Sequence, residues 1–153
     1  WLDNFKEGLA APGGKDKMLF DLTITGPGMF SIKDLFDLSL ELDVRIETKI
    51  MFAFHPDIIF SPFAWPKHIL VRKIDELLEY MEPLATHKQF TLINTLKEMR
   101  NRPSFEEEYP EEFTQGKKNG KGFQDRLDSI RDEKITIADI YKTDDELYEW
   151  WTK

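Results

Sequence analysis

A chain of 153 residues with 41% hydrophobic and 13% aromatic content is long enough to bury one sizeable core, so one domain plus an appendage is the expected count. Its 29 acidic against 21 basic residues, a formal charge of -8, argue against a nucleic-acid surface, and its lack of cysteine excludes disulfides, thiolate metal sites and a cysteine nucleophile. No apolar run approaches the length of a bilayer span and no signal peptide is visible, so neither nucleic acid nor membrane is an expected partner and a cytoplasmic location is the default.

Residues 1–9, beginning at Trp1, read as the end of a helix entering a loop at Ala11-Pro12-Gly13-Gly14, which suggests a fragment of a longer protein. Gly13-Gly14-Lys15 invites comparison with a phosphate-binding loop, but Asp16 stands where Ser or Thr would be needed and a strand follows instead of a helix. A hairpin-like connection is the expectation there.

Residues 18–25 pattern as a strand that stops at Gly26-Pro27-Gly28, where a proline between glycines cannot continue a ladder. Ser31 then offers a helix cap, with Asp34 in a near capping box, and Ile32, Leu35, Phe36, Leu38, Leu40 and Leu42 give a broad apolar face. A second strand follows over residues 44–54, alternating at first and continuously apolar at its end. Strand, helix and strand in that order predict a parallel βαβ unit. In such units ligands bind at the loops leaving the carboxyl ends of the strands, here residues 26–30 and 55–65.

Beyond it, Pro66 suits a first helical turn, and Ile69, Leu70, Ile74, Leu77, Leu78 and Met81 repeat at helical spacing until Pro83. A partner helix is expected from the Thr86 cap through Phe90, Ile93, Leu96 and Met99. After Pro103 the pattern weakens into an acidic, surface-hugging tail with Phe105, Tyr109 and Phe113 as spaced aromatics. A glycine-rich turn over 116–122 carries Lys117, Lys118 and Lys121 beside the acidic run 106–112, which reads as a local dipolar surface. A short helix over 123–132 follows, and Thr143 and Glu146 open a capped terminal helix whose Trp150 and Trp151 dock on a neighbouring core.

The histidines, His55, His68 and His87, lack the i, i+4 spacing of a helical metal motif. His68 and His87 read as surface residues, whereas His55 directly follows the second strand at its site-building end. Gly26 and Gly28 could let backbone amides approach a carboxylate or phosphate beside the Thr25 hydroxyl, or could serve a tight loop for conformation alone. No nucleophile, paired-carboxylate set or metal site assembles from the residues.

The runs Leu22-Thr-Ile-Thr-Gly-Pro-Gly-Met-Phe-Ser-Ile-Lys-Asp-Leu35, Ile50-Met-Phe-Ala-Phe-His-Pro-Asp57 and Ser61-Pro-Phe-Ala-Trp-Pro-Lys67 resemble the late part of a radical S-adenosylmethionine enzyme barrel, and more narrowly such proteins with a twitch domain. The resemblance covers about the first two-thirds of the chain, and the tail has the look of that group's C-terminal extension. It implies an α/β fold with a late βαβ segment of a partial (β/α) barrel over residues 1–82 and a helical, acidic extension over 83–153. It also implies a parent that uses a [4Fe-4S] cluster to cleave S-adenosylmethionine reductively, for radical chemistry on a peptide or small-molecule substrate that the sequence does not identify.

The family's Cys-x-x-x-Cys-x-x-Cys loop and Gly-Gly-Glu element are absent, so this chain alone is expected to be inactive, to bind neither cluster nor cofactor, and to require the missing N-terminal half-barrel as partner. Thr25, Gly26, Gly28, Phe54 and His55 are placed nearest cofactor or substrate by position, with no catalytic or metal residue assigned. The competing expectation is a non-catalytic α/β interaction module whose acidic helical tail is the binding surface.

Overall fold

The computed structural model describes residues 1–50, 57–132 and 135–153. Two strands, β1 (Leu19–Ile24) and β2 (Arg45–Ile50), pair in parallel from Leu19 opposite Arg45 to Ile24 opposite Ile50. The expected end of the second strand, residues 51–54, lies outside the described residues. Alternation sorts the faces: Phe20, Ile24 and Ile46 are buried, while Asp21, Thr23, Arg45 and Lys49 are exposed on the opposite side. The chain is thus a helix-rich α/β protein with a small parallel sheet.

Before the sheet, α1 (Leu2–Ala10) turns at Gly13 into the short α2 (Gly14–Lys17), so residues 13–15 form a helical corner and not the expected hairpin-like connection. Gly13 sits at φ 73, the left-handed region open to glycine, which reverses the chain onto α1. Phe5 of α1 stacks on Phe20 of β1 at 4.9 Å between ring centroids.

The crossover helix α3 (Ile32–Glu41) buries Ile32, Phe36 and Ser39. Ser31 makes no capping bond, contrary to expectation, because a 3-10 turn, Pro27–Ser31, runs straight into α3 and its carbonyls take the amides a cap would serve. Asp43, at φ 55, ends the helix and feeds β2. A buried amide, Gln89, then ties three elements together: its Nε2 donates to Ser39 Oγ at 3.1 Å and to Val44 O at 3.3 Å, while its Oε1 accepts from Thr86 N–H.

The helix pair forms as the spacing predicts, with α4 (Lys67–Met81) burying Ile69, Leu70, Ile74, Leu77, Leu78 and Met81. Its partner α5 (Phe90–Asn101) follows a capping box at Thr86 and buries Leu92, Ile93, Leu96 and Met99, although Phe90 is exposed. α5 also packs on β2, where Thr48 and Thr95 share a 2.6 Å hydroxyl hydrogen bond.

The tail departs most from expectation. After α6 (Phe105–Glu108) a single helix, α7 (Pro110–Ile130), passes through the glycine-rich residues 116–122 and absorbs the short helix expected over 123–132. Its buried stripe is Phe113, Gly116, Gly120 and Gln124, so two of the glycines lie on the buried face of a helix that packs closely on the 3-10 turn Asp57–Phe60. That packing outweighs an intrinsic helix penalty of about 1 kcal/mol per glycine.

Two short helices, α8 (Ile137–Tyr141) and α9 (Asp145–Thr152), then return across the fold. The N-cap of α9 is Asp144, whose Oδ1 accepts from Leu147 N–H at 3.1 Å, rather than the expected Thr143. Phe105 and Phe113 join the main core, so this segment builds the interior instead of hugging the surface, while Trp151 docks in that core and Trp150 packs against it, as expected of the terminal helix.

Candidate functional site

At the carboxyl end of β1, the loop groups that could receive an anion already have partners. Gly26 N–H donates to Phe60 O at 2.6 Å, Gly28 N–H to Thr25 Oγ1 at 3.0 Å, and Met29 N–H to Thr25 O and Gly26 O at 3.1 Å each. Pro27 has no N–H to give. The loop is therefore closed by its own hydrogen bonds together with the one to Phe60, and Gly26 is buried.

Above Gly26 stand two buried rings. Trp65 Nε1 donates to Tyr141 Oη at 3.0 Å, and their rings meet edge to face at 5.6 Å. A Cβ at Gly26 would lie 2.9 Å from Trp65 Nε1 and 3.1 Å from Tyr141 Oη, so glycine is required there by close approach. Burial pushes the Tyr141 hydroxyl well above the ordinary tyrosine range, the Trp65 hydrogen bond opposing it only in part, and the ring stays neutral. Phe54 and His55 lie outside the described residues.

Thr25 is half-buried and lines a groove of about 540 Å³ with Pro27, Phe60 and, from α7 and α8, Phe123, Leu127 and Ile137. Arg131 stands at its rim, 3.6 Å from Asp128. The groove is largely apolar, with the Thr25 hydroxyl, the Gln124 carboxamide and the Arg131 guanidinium as its polar side chains, a composition suited to binding a ligand. Among the described residues no three His, Cys, Asp or Glu side chains group to hold a metal ion. His68 instead contacts Glu146 Oε1 at 2.6 Å on the surface, and His87 is exposed.

Phe60, Trp65 and Tyr141 shape this region without having been singled out by residue pattern. Tyr141 was recoverable: Thr136 and Asp139 form a reciprocal capping box that announces α8. Among the described residues no helix is long and apolar enough to cross a membrane.

Comparison with family models, with curated proteins and with solved structures yields no significant match to this chain.

Proposed function

We propose that this chain forms the late wall and C-terminal extension of a radical S-adenosylmethionine enzyme, contributing structure to a parent that holds the reactive centre. One observation carries the reading: β1, α3 and β2 make a parallel crossover whose sheet is covered on one face and left charged on the other. Parallel sheets are nearly always covered on both faces, and two strands are too few to stand as a sheet alone. The open face, on the side away from α3 and α5, carries Asp21 and Lys49 paired at 2.6 Å and Arg45 and Glu47 at 3.1 Å, and is the face that further strands or a neighbouring domain would cover in the parent.

The residues present do not fit the iron-sulfur cluster, because no cysteine exists to ligate it. In this reading the thiolates come from the remainder of the parent, and the present chain supplies the wall and closes one strand end with Trp65 and Tyr141.

The test compares the parent polypeptide with this chain after anaerobic reconstitution. The parent should form 5'-deoxyadenosine from S-adenosylmethionine, and amides of β1 and β2 should exchange more slowly in the parent than in the chain alone. A parent that lacks the cysteine triad or releases no 5'-deoxyadenosine overturns the proposal. A compact monomeric chain with fully protected strands favours the interaction module instead.

A further inference from the structure

α7 presents Lys117, Lys118 and Lys121 to a cleft of about 610 Å³ that Trp150 and Lys153 close from the end of α9. We infer that this cleft binds a small phosphate-bearing anion.

The charge balance of the cleft sets it apart in a chain of formal charge -8. Lys117 Nζ donates to Trp150 O at 3.1 Å and Lys121 Nζ to Trp151 O at 2.5 Å, so both ammoniums converge on the last carbonyls of α9. Each also lies over an indole ring, Lys117 at 4.3 Å from Trp150 and Lys121 at 5.4 Å from Trp151. Helix-end carbonyls carry only about half an elementary charge in total, too little to neutralise two ammoniums.

Lys118 is exposed and has no ion pair among the described residues, while Lys153 is paired with Glu149 at 2.6 Å. Glu106 and Asp125 also line the cleft, yet neither forms an ion pair with these lysines among the described residues. Four lysines thus face two carboxylates at a concave site, and Glu106 offsets only part of the charge at Lys117, which leaves the lining net positive. Burial first, and then the charge of Lys121, hold the Lys117 ammonium below the ordinary lysine range against the opposing pull of Glu106, and an anion seated in the cleft beside the two lysines would relieve their repulsion.

The cleft has the volume of a small-ligand site. Its lysines occupy one helical turn and not an extended track, and acidic groups flank them, which favours a compact phosphate over a nucleic-acid backbone. This inference does not depend on the radical-enzyme reading, since it concerns α7 and α9 alone.

Titration calorimetry of the intact chain with inorganic pyrophosphate, at constant ionic strength, tests it, with Trp fluorescence as a second signal. Saturable binding at one site per chain is expected. Lys118→Glu, at an exposed position without an ion pair, should weaken it about tenfold or more while circular dichroism stays unchanged. Lys33→Glu, on α3, should leave binding unchanged. Absence of saturation, equal binding by the Lys118→Glu protein, or tighter, length-dependent binding of single-stranded oligonucleotides would each overturn the proposal.

Discussion

The indole of Trp65 donates its N–H to the hydroxyl of Tyr141 at 3.0 Å, joining residues 76 positions apart with both side chains buried. This bond fastens the tail over the end of β1. Its acceptor sits on α8, a helix of five residues that could not persist without such an anchor.

Replacing Tyr141 with Phe keeps the ring and removes the acceptor, leaving the buried Trp65 N–H unpaired. A loss of about 1–3 kcal/mol in unfolding free energy is expected, read by urea denaturation followed through Trp fluorescence. A change within error of zero would show that another acceptor serves the indole.

Two glycines of the same loop should respond differently to alanine. At Gly26 the added Cβ meets Trp65 Nε1 at 2.9 Å and Tyr141 Oη at 3.1 Å, groups fixed by burial, so Gly26→Ala should destabilise by about 1–3 kcal/mol. At Gly28 the obstacle is Thr25 Oγ1 at 2.7 Å, which can rotate away with loss of one hydrogen bond. Gly28→Ala should therefore cost about 1 kcal/mol. Thermal melts of the two proteins side by side decide the order.

Gly122→Ala should act in the opposite direction. Gly122 lies inside α7, its φ is not in the left-handed region, and an added Cβ meets nothing within 4 Å. Stabilisation of about 0.4–1 kcal/mol is expected, seen as a higher melting temperature. Were residues 116–122 a glycine turn, the same change would destabilise.

The contrast at Gly122 also shows where sequence reading reached and where it stopped. The parallel unit, α4 and α5 were legible because their apolar residues repeat at the period of the element, and Thr86 and Pro83 mark their limits. α7 was not, because local propensity counts its glycines as breakers, while the helix is held by packing against a segment some 60 residues away. Thr25 was placed correctly at a strand end, but the hydrogen bonds that occupy the Gly26 and Gly28 amides come from Phe60 and from Thr25 itself. No spacing rule encodes the first of these, since it joins distant loops.

The pairing of Asp144 with Arg72 supplies a pH dependence. Burial alone would raise the Asp144 carboxyl, but the Arg72 guanidinium at 3.1 Å and the Leu147 N–H together hold it below the ordinary carboxylate value. A carboxyl lowered in the folded state stabilises fully above its unfolded value of about 3.9, and that contribution is lost as the pH falls toward and through the folded value. Asn at this position can still cap α9, so Asp144→Asn isolates the charge from the cap. At pH 7 the variant should be less stable by about 1 kcal/mol, a few degrees in melting temperature, since Arg72 is substantially exposed and its pairing is screened. At acidic pH, where wild-type Asp144 becomes protonated, the two melting curves should converge. A gap that persisted unchanged from pH 7 to pH 2 would mean that the carboxylate charge contributes nothing and that α9 is held by its cap and its buried Leu147 and Trp151 alone.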